Sequence, residues 1–120
     1  IGKSKIWYHD RDAGNDDIQE FEVSPADFGL PEHSLDLVRS GTPAENADVL
    51  KNILSKKDPA DVAPGASALI DYIVMNAGAL AVVSGLTKDW KEGAQLARES
   101  ILSGGAQVAL KAFIAAIDTV

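Results

Sequence analysis

The chain has 120 residues, a formal net charge of −7 and no cysteine. This length fits one domain or part of one, and the lack of cysteine excludes disulfides and thiolate metal sites. The negative charge argues against a nucleic-acid partner, because such binding relies on basic side chains. A hydrophobic content of 46% predicts a folded chain. Alanine dominates the apolar residues and only 6% of residues are aromatic, which favours close helix–helix or helix–sheet packing.

A strand pair is predicted at the start of the chain. Residues 5–9 are β-prone, and residues 18–23 alternate apolar with charged side chains. The polar run between them, Asp10 to Asp17, is typical of a turn, so a hairpin is expected. The run is not an EF-hand, because Asn15 and Phe21 occupy the positions that need glycine and glutamate. A solvated loop is therefore favoured over a calcium site.

Two short helical turns are predicted next. The first has Ser24 as a cap, Pro25 at the first helical position and Gly29 as its end. The second covers residues 34–40 and is expected to turn Leu35 and Val38 inward. Short segments of this kind connect larger elements, so neither predicts a site.

The clearest local signal is a capping box that opens a longer helix. Thr42 and Glu45 have the spacing for reciprocal side-chain-to-backbone hydrogen bonds, with Pro43 at the first helical position. The apolar spacing continues this helix to about Ser55.

A long apolar helix is predicted over residues 66–84, with Gly85 as its stop. Residues 66–86 approach the length of a membrane span and carry one charge, Asp71. The polar Asn76 and the lack of flanking basic and aromatic belts favour a buried helix over a membrane span. Because the helix is apolar on nearly all sides, it is expected to be buried on nearly all sides.

Two further helices complete the chain. Thr87 is expected to cap the first, and the pair Gly104-Gly105 predicts a break before the second. Free amides at such a break can in principle hold a phosphate. The flanking residues lack the pattern of a phosphate-binding loop, so a helix stop and restart is favoured.

No catalytic, cofactor-binding or metal-ligating residue is predicted on this chain. Nothing at metal-ligand spacing surrounds His9 or His33, so a surface or structural role is favoured for both. Asp71 and Asn76 are interpreted as polar groups that need hydrogen-bond partners, with catalysis as the less favoured alternative. The serines lack a nucleophile-elbow pattern.

The order of several short motifs resembles the C-terminal region of anthranilate phosphoribosyltransferases. The most specific motifs are Pro-Ala-Asp-Phe-Gly-Leu at residues 25–30 and Ala-Glu-Asn-Ala at residues 44–47. The supporting motifs lie at residues 4–7, 75–80, 92–99 and 103–106. Together they cover nearly the whole chain, and the long loop from Asp10 to Asp17 is more similar to fungal than to bacterial members.

The resemblance implies an α/β parent enzyme in which this segment is a strand pair followed by about five to six helices. Residues 1–120 would form the C-terminal part of the catalytic domain, with no separate second domain. The parent would transfer a phosphoribosyl group from phosphoribosyl pyrophosphate to anthranilate in tryptophan biosynthesis. It would be a cytoplasmic homodimer that uses Mg²⁺, without a membrane or nucleic-acid partner.

The family's magnesium-binding Asp-Glu pair is expected just before Ile1, and no catalytic residue of the family maps onto this chain. Glu45, Asn46 and Asn76 match family positions and are interpreted as structural. The segment alone is therefore expected to be inactive and to depend on the upstream part of the same enzyme. The alternative hypothesis is a non-enzymatic helical interaction or scaffold domain.

Overall fold

Two strands precede a series of helical segments in the computed structural model, which describes residues 2–9, 14, 17–55 and 65–117. The elements in chain order are strand β1 (Ser4–His9), strand β2 (Ile18–Val23), 3-10 turns at Pro25–Phe28 and Leu35–Val38, and helices α1 (Pro43–Leu54), α2 (Ala66–Val83), α3 (Trp90–Ser103) and α4 (Gly105–Ile117). The strand-then-helix order is confirmed. The described residues form four α-helices, slightly fewer than the five to six expected, because two predicted short helices are single 3-10 turns.

The strands pair antiparallel, with Ile6 opposite Phe21. Phe21 is half-buried and Val23 buried, whereas Glu20 and Glu22 are exposed. The hairpin prediction is confirmed, because alternation places the apolar side chains on the face that meets the helices. The predicted loop between the strands lies outside the described residues except at two positions.

The capping box at α1 is confirmed. The Thr42 N–H and hydroxyl both donate to the Glu45 carboxylate at 2.8 Å, and the Glu45 N–H donates to the Thr42 hydroxyl at 3.3 Å. Asn46 adds two hydrogen bonds to Gly41: its side chain accepts from the Gly41 N–H at 2.9 Å and donates to the Gly41 carbonyl at 3.1 Å. These bonds satisfy amides that a helix start leaves unpaired and fix the direction in which the chain enters α1.

The core forms where α2 lies against α3. Small side chains allow this close packing: a Cβ added at Gly78 would lie 2.7 Å from the Ala94 nitrogen, and one added at Gly93 would lie 2.6 Å from the Gly78 carbonyl oxygen. Val74 and Ile53, on α2 and α1, are the largest fully buried side chains. The alanine- and glycine-rich composition therefore serves helix–helix contact, as predicted.

The expected burial of α2 on nearly all sides is wrong for this chain. Tyr72 is 41% exposed, and Leu80 and Val83 are 69% and 67% exposed. The described neighbours cover one face of the helix, so its remaining apolar side chains face outward.

One described helix, Ala66–Val83, is long and apolar enough to span a membrane. Helices α3 and α4 together also reach that length and hydropathy, but they are bent by 75° relative to each other. Core helices of soluble proteins can be equally long and apolar, so these properties are weak support for a membrane span. The 75° bend confirms the break predicted at the glycine pair. Gly104 ends α3 with φ of 81°, a backbone conformation that glycine adopts without strain.

Two local predictions are corrected. Leu35 is 67% exposed rather than inward, because its segment is a single 3-10 turn, Leu35–Val38, capped by Ser34. Val38 is half-buried. Asp89, not Thr87, caps α3, since its carboxylate accepts from the Glu92 N–H at 2.8 Å. Thr87 lies two residues earlier, where its buried hydroxyl accepts from the Asp89 N–H and donates to the Glu92 carboxylate.

Candidate functional site

The principal polar cluster in the described part of the chain is built around Asp71. One carboxylate oxygen lies 2.8 Å from His33 Nε2, and the other accepts from Arg98 Nη2 at 2.5 Å. The Asp71 side chain is 12% exposed, against 19% for His33 and 40% for Arg98. A nearly buried carboxylate needs such partners, because removing its charge from water without them is costly.

Three separate parts of the chain meet in this cluster. Asp71 comes from the first half of α2, Arg98 from α3, and His33 from the segment that joins the two 3-10 turns. Aromatic packing holds the start of that segment, since the Phe28 ring lies 5.3 Å from the Trp90 ring on α3. Phe21 of β2 contacts the same Trp90 ring at 6.1 Å. The cluster and the aromatic contacts therefore fasten the strand pair and its connection to the helices.

A small cavity lies beside the cluster. Its lining residues are Pro25, Leu30, Pro31, His33, Asp71, Tyr72 and Met75. Its volume is about 10 Å³, which is on the order of the room that one water molecule needs. Small-molecule sites typically measure several hundred Å³, so this cavity is far smaller than such a site.

The Asp71 cluster acts as a brace: its hydrogen bonds hold α2, α3 and the segment with His33 together. Both Asp71 oxygens are engaged by nitrogen donors, and no nucleophilic side chain takes part in the contacts. Among the described residues, no buried side-chain nitrogen or oxygen lacks a hydrogen-bond partner. This arrangement stabilises the packing of α2 against α3 and of the segment that carries His33.

The other residues considered from sequence lie apart from the cluster. Asn76 is exposed, and its side chain donates at 2.8 Å to the Tyr72 carbonyl on its own helix. His9 is exposed in β1 and pairs across the hairpin with Ile18. The structure therefore brings Asp71 together with His33 but not with Asn76 or His9.

The glycine pair offers no free amide cradle. The Gly104 N–H donates to the Ile101 carbonyl at 3.1 Å, and the Gly105 N–H donates to the Ser103 hydroxyl at 3.3 Å. A phosphate would have to displace both bonds, so the geometry supports the helix stop and restart over the phosphate alternative.

The described residues do not fit a magnesium site. Within them, no group of three or more histidine and acidic side chains is placed to hold a metal ion. Asp71, the carboxylate of the cluster, is already ion-paired with Arg98. Magnesium prefers several oxygen ligands in octahedral arrangement, and this cluster supplies one carboxylate.

Sequence reasoning missed the link between Asp71, His33 and Arg98. A single carboxylate in an otherwise apolar helix does signal that partners must exist. The partners lie 38 and 27 residues away along the chain, and no local pattern selects them from the other basic residues.

Comparisons with known proteins find relatives that share one name, each matching most of this chain. The yeast (Saccharomyces cerevisiae) anthranilate phosphoribosyltransferase is 38% identical over 99% of this chain and 31% of its own length. The enzymes of that name from Rubrobacter xylanophilus and Rhizobium meliloti are 39% and 42% identical over 86% and 81% of this chain. The fungal and bacterial identities are similar, so they do not favour a fungal source.

Solved structures lead to the same family. The yeast enzyme in complex with 4-fluoroanthranilate matches all of this chain and 32% of its own, at 37% identity and a TM-score of 0.81. A variant of the yeast enzyme with magnesium bound matches with a TM-score of 0.80. The chain thus spans about a third of the length of the relatives it matches. Residues 1–107 match the model of the glycosyl transferase family, a/b domain, and the chain belongs to that family.

Proposed function

We propose that residues 1–120 form the C-terminal part of the α/β catalytic domain of an anthranilate phosphoribosyltransferase, without a separate second domain. The parent enzyme transfers a phosphoribosyl group from phosphoribosyl pyrophosphate to anthranilate in tryptophan biosynthesis. The observation that carries the proposal is the agreement with the yeast enzyme over the full chain, 37% identity at a TM-score of 0.81. A shared fold alone does not imply a shared function. The proposal therefore relies on the 37% sequence identity over the whole chain as well as on the shared fold.

In this proposal the segment is scaffold. The Asp71 cluster braces α2 against α3, and the described residues hold neither a substrate-sized cavity nor a group of metal ligands. In the proposal, the groups that bind phosphoribosyl pyrophosphate, anthranilate and Mg²⁺ come from the upstream part of the same polypeptide. One solved variant of the yeast enzyme has magnesium bound, and this supports Mg²⁺ in the parent.

The remaining features of the proposal follow from the family. The parent is a cytoplasmic homodimer with no nucleic-acid or membrane partner. The acidic net charge of −7 supports the absence of a nucleic-acid partner. The ion-paired Asp71 in the first half of α2 supports a protein-covered helix rather than a membrane span. No observation favours the alternative of a non-enzymatic interaction domain.

A chimera tests the proposal. The matching third of the yeast enzyme is replaced by this chain, and consumption of anthranilate is followed by its fluorescence with phosphoribosyl pyrophosphate and Mg²⁺ present. We expect turnover by the chimera and none by the 120-residue chain alone. Turnover by the chain alone would contradict its role as scaffold, and a folded chimera without turnover would contradict the assignment of the segment to this enzyme.

A further inference from the structure

We draw no further inference here: the strongest candidate, the outer face of the hairpin formed by β1 and β2, where Trp7 and Ile18 are 63% and 65% exposed, is an apolar surface for which nothing among the described residues shows what covers it.

Discussion

Gly78 has no side chain, and this allows the close approach of α2 and α3. An added Cβ would meet backbone atoms of Gly93 and Ala94 at 2.9 Å and 2.7 Å. Backbone in a helix cannot move aside cheaply, so Gly78→Ala forces the helices apart. We expect a loss of about 1–3 kcal/mol in the free energy of unfolding, measured by urea denaturation.

Gly105→Ala is the matched control for that substitution. A Cβ at this position meets nothing closer than 3.4 Å, and alanine favours a helix over glycine by about 1 kcal/mol. We expect unchanged or slightly raised stability. Equal losses for the two variants would contradict the close approach at Gly78.

Asp71 is the residue on which the brace depends. Asp71→Asn removes the charge that Arg98 and His33 face, while leaving a side chain of similar shape. Hydrogen bonds to charged groups contribute about 1.5–3 kcal/mol, so we expect a loss of this order in the free energy of unfolding. The exposed Asp36–Arg39 pair has exposures of 71% and 80%, and Asp36→Asn should cost less than about 1 kcal/mol. Similar losses for Asp71→Asn and Asp36→Asn would show that the cluster is not a brace.

At the scale of elements, the start of α1 is sensitive to acid. The pKa of Glu45 is lowered from its ordinary value of 4.5 because the Thr42 backbone N–H, and then its hydroxyl, donate to the carboxylate. A lowered folded-state pKa means that the cap contributes fully above about pH 4.5 and is lost as pH falls through the folded value. We expect amide exchange in the first turn of α1 to accelerate over that acid range. Thr42→Ala removes the hydroxyl but keeps the backbone N–H, so it should return the pKa of Glu45 only part of the way toward 4.5, as read by carboxyl NMR. An unchanged pKa would show that the hydroxyl does not contribute.

The elements divide into those that local patterns predict and those that they do not. The hairpin, the α1 capping box and the break at Gly104 depend on neighbours within a few residues, so the sequence predicts each of them. The outward position of Leu35 and the partners of Asp71 depend on contacts made across the fold. The exposure of the outer face of α2 depends on which other elements of the fold are present to cover it. The sequence therefore predicts the elements better than it predicts their partners.

At the scale of the whole molecule, the chain exposes more surface than a compact protein of its mass. Its accessible area is 8336 Å², whereas about 6200 Å² is typical for 12.6 kDa. Its radius of gyration is 15.9 Å, against about 13.6 Å for a compact domain of this length. The exposed apolar side chains of α2 and α4 contribute to this excess.

We expect the isolated 120-residue chain to self-associate, because apolar patches of this kind are unfavourable in water. Sedimentation velocity should show oligomers that increase with protein concentration. The double variant Phe113→Asp/Ile117→Asp should shift the chain toward monomer. The control Leu35→Asp/Leu37→Asp adds the same charges at two side chains that are also exposed, by 67% and 52%, but lie on a short 3-10 turn. Because a short turn offers no continuous apolar surface, the control should change association less. A monomeric parent chain, or equal shifts from both variants, would contradict the role of Phe113 and Ile117 in self-association.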